Sequence, residues 1–303
     1  MNNFADKLIE KINSKNSILL AGLDPRINEI PDCYKIESTK ISKNNDELIY
    51  NTLVSFYKDS IEACRDYVPI IKPNIAFFEA LGIPGLKALK TVSKIIKEQD
   101  ILCLIDAKRG DIGSTAKAYS QAFLGKTLID AITINPYLGF DTITPFLENL
   151  ELEGKGIFVL VKTSNPGSAD IQNLKLESGI TVAEHIAKEI SEIGKKFIGK
   201  SGASSIGVVI GATYPEEALK FRELMPNIPF LIPGFGAQGG SAEDATASFV
   251  SNQSVGIVNS SRGIFQSFSS KSINRKEVIS EIRNYSIKFK EQLNQALNNA
   301  NRK

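Results

Sequence analysis

The richest source of possible chemistry in the chain is the run LIDAKRGDIGSTA at residues 104–116. An apolar stretch leads into Asp106 and Lys108, and Asp111 follows before a helical pattern opens near Ser114. Side chains at i and i+2 of a strand point to one face, so Asp106 and Lys108 are predicted to lie together, with Asp111 on the loop beyond them. A salt bridge at a strand end would explain an isolated Asp-x-Lys pair. The whole string instead favours a site in which charged groups stabilise developing negative charge and move a proton.

Lys108 could also be the nucleophile of a Schiff-base aldolase. Such a lysine must lose its proton before it can attack a carbonyl. Carboxylates on both sides in the sequence favour the ammonium form instead. We therefore interpret Lys108 as a proton donor.

Histidine chemistry is nearly excluded by composition. The only histidine is His185, in the helical stretch AEHIAKEI, where a structural role is the better interpretation. Catalytic triads and zinc sites usually need histidine. The chemistry must come from lysines, carboxylates and hydroxyls.

The remaining composition indicates a cytoplasmic enzyme that acts on a small molecule, in one large domain or two small ones. The chain has 303 residues, with 36 Lys and Arg against 34 Asp and Glu. The resulting net charge of +2 does not indicate a broad basic surface for binding nucleic acid. Three widely spaced cysteines suggest neither a disulfide framework nor a metal site. The sequence contains no apolar run of about 20 residues and no signal-peptide pattern, so no membrane partner is expected.

Eight short apolar runs alternate with helical patterns along the chain. Strands are predicted at 17–23, 69–72, 101–106, 129–135, 156–161, 205–210, 229–232 and 255–259. Helices are predicted at 47–65, 83–98, 114–124, 142–150, 181–197, 215–223 and 242–251. This order indicates parallel strands covered on both faces, in a closed barrel or an open doubly wound sheet.

Polar residues at the strand ends favour the (β/α)8 TIM barrel. Barrel enzymes build their sites on the whole C-terminal rim, whereas an open sheet concentrates its site at one switch point. Nearly every predicted strand ends in such a residue: Asp24, Lys72, Asp106, Asn135, Ser164, Gln238 and Arg262. We predict one barrel domain spanning residues 1–303.

The segments outside this alternation are interpreted as structural. An apolar stripe that includes Phe4 and Leu8 predicts a short helix closing the barrel bottom, and another predicts a C-terminal helix at 276–298. Residues 28–46 form a polar insertion without clear periodicity, for which a solvated surface loop is the preferred interpretation over a lid.

Glycine-rich loops follow the last two predicted strands. They read GFGAQGG at 234–240 and SSRG at 260–263. Barrels frequently bind phosphate in the loops after strands seven and eight. We predict a phosphate site there, with a mobile loop at 233–241.

These motifs together resemble the orotidine 5′-phosphate decarboxylase family. DAKRGDIGSTA is similar to the family signature, and other segments follow in the family's order: GLDP, PIIKPNIAFFE, VKTSNPGSA, PGFGAQGG and VNSSRGI. They span residues 22–264, and their residue patterns resemble those of the longer bacterial and protozoal branch of the family. Two positions depart from common family forms: Asn165 stands where histidine is frequent, and Ser261 where glycine is frequent.

The resemblance implies catalytic roles for four residues. Lys108 would deliver a proton to pyrimidine C6, and Asp106 would lie against the substrate carboxylate. Lys72 would complete the charged network. Asp111 would reach into the neighbouring subunit's site, towards the ribose 2′-hydroxyl.

The resemblance also implies five substrate-binding residues. Asp24 would bind ribose hydroxyls, Ser164 the pyrimidine amide, and Gln238 and Arg262 the phosphate. Thr115 would act across a homodimer with shared active sites. The implied ligands are orotidine 5′-phosphate and UMP, in the last step of de novo pyrimidine synthesis, with no cofactor and no metal.

Two alternatives stay open. A sugar-phosphate synthase or decarboxylase of the same barrel group would share the Asp-x-Lys-x-x-Asp pattern but use Mg²⁺, so sensitivity to a chelator separates it. A non-catalytic sensor of phosphate ligands would have no reason to retain crowded charges, and a turnover assay decides.

Overall fold

Eight parallel strands close into a barrel in which every strand pairs with its neighbours in chain order. In this computed structural model the residues described are 3–211, 215–236, 240–250, 255–266 and 274–300. The barrel closes where Leu20 of the first strand pairs with Asn259 of the last. The strands are β1 Leu19–Leu23, β2 Ile70–Pro73, β3 Leu102–Arg109, β4 Ala131–Ile134, β5 Gly156–Lys162, β6 Ile206–Ile210, β7 Phe230–Ile232 and β8 Gly256–Ser260. The predicted single-domain (β/α)8 TIM barrel is confirmed.

Helices surround the barrel and follow its strands. They are α1 Phe4–Lys15, α2 Asp32–Thr39, α3 Asn45–Cys64, α4 Ile75–Glu79, α5 Gly82–Glu98, α6 Gly113–Leu124, α7 Thr144–Leu152, α8 Ala169–Gln172, α9 Val182–Gly194, α10 Pro215–Leu224, α11 Ala242–Thr246, α12 Arg262–Phe265 and α13 Arg275–Ala300. In the described ranges, each helix is too short or too polar to span a bilayer. The predicted C-terminal helix at 276–298 lies within α13.

The barrel bottom is closed by α1, as its apolar stripe predicts. Phe4 and Leu8 are buried in the barrel interior, and the Phe4 ring meets Phe158 edge to face at 6.0 Å between centroids. A Cβ at Gly156 would collide with the Phe4 ring, and one at Gly207 with the Phe158 ring. The two glycines therefore make room for the aromatic plug, and the polar site is left to the opposite end.

The expectation of a solvated loop at 28–46 is wrong. This segment contains α2, and its Tyr34 is fully buried with its ring 5.3 Å from that of Phe56 in α3. The Tyr34 hydroxyl donates to Asp59 at 3.0 Å. Only Tyr34 and Ser38 of α2 are buried, one helical turn apart. A helix this short shows too few turns for its periodicity to stand out in the sequence.

An ion-pair cluster fixes the insertion to the last helix. Arg275, the first residue of α13, donates to Glu37 of α2 at 2.6 Å and to Asp59 of α3 at 2.7 Å. Its guanidinium also lies 4.9 Å from the centre of the Tyr34 ring. The insertion is therefore anchored between α3 and α13.

Candidate active site

A cavity of about 400 Å³ opens at the carboxyl ends of the strands. Six of the nine predicted site residues line it: Asp24, Lys72, Asp106, Lys108, Ser164 and Arg262. Asn135, expected on the same rim, is instead exposed, and its Oδ1 accepts the Tyr137 N–H. The parallel strands thus bring together residues that are up to 238 positions apart in the sequence.

Asp106 is the centre of the charge network in this cavity. Its Oδ2 accepts from Lys72 Nζ at 2.8 Å, and its Oδ1 accepts from Lys108 Nζ at 2.6 Å. The side chains of Lys72 and Asp106 are 7% and 10% exposed, whereas that of Lys108 is 49% exposed. Lys72 is therefore a buried counter-ion, and Lys108 is the ammonium that a ligand in the cavity can reach.

Opposing effects set the charge state of Asp106. Burial alone would raise the pKa of its carboxyl, but the positive charges of Lys72 and Lys108 outweigh burial and hold this pKa well below its usual range. The network therefore enters any reaction near neutral pH with one carboxylate between two cations.

The backbone conformation that brings Lys108 to Asp106 differs from the regular strand that was predicted. The pairing of β3 with β4 shifts register between Ile105 and Arg109, and Lys108 has a φ of 47°. A left-handed backbone is uncommon for a residue other than glycine. The predicted proximity to Asp106 is confirmed, but simple alternation along a regular strand does not produce it.

Thr133 of β4 is a polar residue that sequence reasoning missed. Its Oγ1 donates to Asp106 Oδ1 at 2.9 Å and accepts the backbone N–H groups of Ala107 and Lys108 at 3.0 and 2.9 Å. The signal was present, because Thr133 carries the only hydroxyl in the apolar run AITI of β4.

Two buried oxygens point to ligand binding at the junction of β1 and β8. Asp24 Oδ1 and Asn259 Oδ1 are both buried, and neither finds a hydrogen-bond donor within the part of the chain that the structure describes. Both residues line the cavity. Buried acceptors are normally satisfied, so these oxygens suit hydroxyl or water donors. Sequence reasoning found Asp24 but missed Asn259.

The loop after β5 is held by its own side chains. Gln172 accepts the Thr163 N–H at 2.9 Å and donates to the Thr163 hydroxyl at 2.9 Å. That hydroxyl donates to Asn165 Oδ1 at 2.7 Å. Ser164 lies between these fixed neighbours and lines the cavity, so its position is set before any ligand binds.

The predicted phosphate residues are only partly described. Arg262 opens α12 directly after β8 and lines the cavity. Gln238 lies outside the described residues. The departure at Ser261 has a local consequence, since its Oγ accepts from Asn259 Nδ2 at 3.3 Å.

Asp111 and Thr115 are the two described site residues that do not line the cavity of their own chain. Asp111 accepts the N–H of Ile112 at 2.8 Å, and Thr115 is exposed in the first turn of α6. Neither therefore contributes to the cavity of its own chain.

Comparison with known proteins places this geometry in a family. Residues 52–275 match the model of the orotidine 5′-phosphate decarboxylase / HUMPS family. An orotidine 5′-phosphate decarboxylase from Clostridium perfringens (strain SM101 / Type A) is 43% identical over 284 residues, which are 91% of this chain and 96% of that protein. One from Caldicellulosiruptor bescii is 43% identical over 278 residues, or 88% of this chain and 91% of the relative.

Solved structures agree with the sequence relatives. The OMP decarboxylase of Leishmania donovani superposes with a TM-score of 0.69 at 30% identity, covering 94% of this chain and 99% of that one. A candidate orotidine-monophosphate decarboxylase from Toxoplasma gondii gives a TM-score of 0.81 at 30% identity, covering 99% and 98%. With its barrel, its rim of charged residues and these relatives, the chain belongs to the orotidine 5′-phosphate decarboxylase / HUMPS family.

Proposed function

We propose that this enzyme decarboxylates orotidine 5′-phosphate to UMP and CO2 within pyrimidine biosynthesis. The observation that carries the proposal is the Lys72–Asp106–Lys108 network in one cavity with Ser164 and Arg262. The charged network can stabilise negative charge and donate a proton, while Ser164 suits a pyrimidine and Arg262 suits a phosphate. The relatives named above carry the same activity in their names.

The proposed reaction breaks the bond between pyrimidine C6 and the carboxylate carbon. CO2 leaves, and the bonding electron pair stays on C6. Lys108 then donates an ammonium proton to C6, and it regains a proton from water. A preorganised cation stabilises the developing charge without reorganising at the moment of reaction, which favours the transition state.

Asp106 orients the Lys108 ammonium through the 2.6 Å hydrogen bond. Its own charge also lies where the substrate carboxylate enters. Repulsion between two carboxylates would relax as CO2 leaves, but the weight of such ground-state effects is debated. We therefore assign most of the catalytic contribution to Lys108.

The rest of the substrate occupies the cavity around this network. The buried Asp24 Oδ1 accepts a ribose hydroxyl, which supplies the donor that it otherwise lacks among the described residues. Ser164 binds the pyrimidine amide, and Arg262 with Gln238 binds the phosphate. Phosphate binding away from C6 then supplies binding energy that can be expressed in the transition state.

The active sites are shared across a homodimer in this proposal. Asp111 and Thr115 do not line the cavity of their own chain, which supports a role for them at the site of a neighbour. Beside them, Ile112, Tyr137 and Leu138 are 60%, 76% and 52% exposed, on two loops joined by the Asn135 N–H to Arg109 carbonyl bond. Clustered apolar exposure of this kind marks interaction surfaces. Asp111 of each subunit then meets the ribose bound by its neighbour.

A spectrophotometric assay with orotidine 5′-phosphate tests the proposal. Purified protein should convert the nucleotide to UMP at equal rates with and without EDTA. No turnover of orotidine 5′-phosphate, together with turnover of a sugar phosphate that EDTA abolishes, would favour the Mg²⁺-dependent alternative. Binding of UMP without any turnover of orotidine 5′-phosphate would favour the sensor.

A further inference from the structure

The Thr133 hydroxyl uses all of its hydrogen-bonding capacity at the reacting end of the cavity. A threonine hydroxyl has one proton to donate and two lone pairs to accept. At Thr133 the lone pairs accept the consecutive N–H groups of Ala107 and Lys108, and the proton goes to Asp106 Oδ1. The direction of the O–H bond is thereby fixed, since its oxygen has no lone pair left to accept from another donor.

The two N–H groups belong to the irregular part of β3. Consecutive N–H groups of a regular strand point to opposite sides, whereas here both converge on one oxygen. This convergence coincides with the register shift and with the left-handed φ of 47° at Lys108. Such a backbone persists at a functional site only when its surroundings hold it there. Thr133 supplies two of the bonds that do so.

The same hydroxyl also orients the charge network. Asp106 Oδ1 accepts from both Thr133 and Lys108, at 2.9 and 2.6 Å, while Oδ2 accepts from Lys72 at 2.8 Å. Thr133 is only 1% exposed, so water does not easily replace it. One side chain of β4 therefore fixes both the backbone that carries Lys108 and the carboxylate that aims its ammonium.

We propose that Thr133 is a positioning residue that holds the bulged backbone of Lys108 and the Asp106 carboxylate in the geometry needed for proton delivery to C6. This inference rests on the proposed decarboxylation. It predicts that loss of the hydroxyl affects the chemical step more than the binding of the nucleotide.

The test compares Thr133→Val, which keeps the shape but removes the hydroxyl, with Thr133→Ser, which keeps the hydroxyl. Wild-type turnover of orotidine 5′-phosphate is measured first, so that failure of the proposed function is recognised separately. Thr133→Val should lower kcat by at least about 100-fold with KM within about threefold. Its affinity for UMP, measured by calorimetry, should also stay within about threefold, because UMP lacks the carboxylate that reacts. Thr133→Ser should keep kcat within about tenfold of the wild type.

A matched control comes from Thr52 of α3, whose hydroxyl is buried without a hydrogen-bond partner in the described part of the chain. Thr52→Val should leave kcat, KM and UMP affinity unchanged. Three results would overturn the positioning role: a valine variant with near wild-type kcat, a serine variant as slow as the valine variant, or equal losses of kcat and UMP affinity. A valine variant that does not fold also contradicts it, because the proposal expects a folded protein that still binds UMP.

Discussion

At the scale of single residues, one carboxylate organises the site. Asp106 accepts from two ammonium groups and one hydroxyl, and its side chain is only 10% exposed. Lys72 and Thr133 hold the carboxylate that accepts from Lys108, so the loss of either removes a group that orients the Lys108 ammonium. We therefore expect substitutions around Asp106 to lower the rate of the chemical step. Substitutions at the proposed phosphate residue, Arg262, should instead act through binding of the nucleotide.

The variant Arg262→Ala tests the proposed binding of the phosphate. A charge-assisted bond to phosphate contributes about 1.5–3 kcal/mol, so UMP should bind about 10- to 100-fold more weakly to the variant. Turnover of orotidine 5′-phosphate should fall as well, because the proposal has phosphate binding energy expressed in the transition state.

Orotidine, which lacks the phosphate, is the control substrate for this variant. The wild type and Arg262→Ala should turn over orotidine at similar slow rates. If the variant loses as much activity on orotidine as on the nucleotide, Arg262 acts on something other than the phosphate.

The sequence predicted many of these residues but only part of their geometry. Asp106 and Lys108 stand out because charged residues end an apolar run, and the structure brings their side chains into contact. At the left-handed backbone of Lys108, the N–H donates to the hydroxyl of Thr133, 25 positions away. Local sequence patterns carry no information about such a non-local contact.

At the scale of elements, a capping box fixes the start of α9. The Thr181 hydroxyl accepts the Glu184 N–H, and the Glu184 carboxylate accepts the Thr181 N–H. Glu184 also pairs with Lys220 of α10. The hydrogen bond from Lys220 and then the backbone N–H of Thr181 lower the pKa of Glu184 to about 2.

Glu184→Gln should therefore change the pH dependence of stability. A carboxyl whose pKa is lowered on folding adds stability above its unfolded pKa of about 4.3, and this stability is lost as the pH falls towards 2. The variant should lose about 1 kcal/mol of unfolding free energy at pH 7 and progressively less below pH ~4.

Urea unfolding at pH 7 and pH 3 measures this difference. Glu192→Gln is the control, because Glu192 lies on the same helix and its ion pair with Lys195 is exposed. A deficit of the same size at both pH values would show that the Glu184 carboxylate charge is not responsible.

Strands and long helices were predicted more accurately than short helices. Every predicted strand overlaps an observed one, since each buried strand has a continuous apolar run bounded by polar residues. The short helices α2, α4, α8 and α12 were missed. Helices of four to eight residues have too few buried positions to show a period, and tertiary contacts such as that of Tyr34 with Phe56 stabilise them.

At the scale of the whole molecule, the proposal requires two barrels for each complete site. Mixing inactive Lys108→Ala and Asp111→Ala subunits tests it directly. A heterodimer of the two has one doubly substituted site and one wild-type site. A random mixture of equal amounts should therefore recover roughly a quarter of the wild-type activity per site.

Subunit exchange must be demonstrated independently, for example by mass spectrometry of differently tagged chains. If exchange is complete and no activity returns, each chain completes its own site. The exposure of Ile112, Tyr137 and Leu138 would then need another partner.

The central claim of this account is that Lys108 delivers the proton to C6. The most direct measurement is the initial rate of UMP formation from orotidine 5′-phosphate by the wild type, by Lys108→Ala and by Lys94→Ala, an exposed control lysine on α5. Lys108→Ala should lose at least about a thousandfold in rate while still binding UMP, and Lys94→Ala should match the wild type. A Lys108→Ala enzyme that turns over within about tenfold of the wild type would contradict the account.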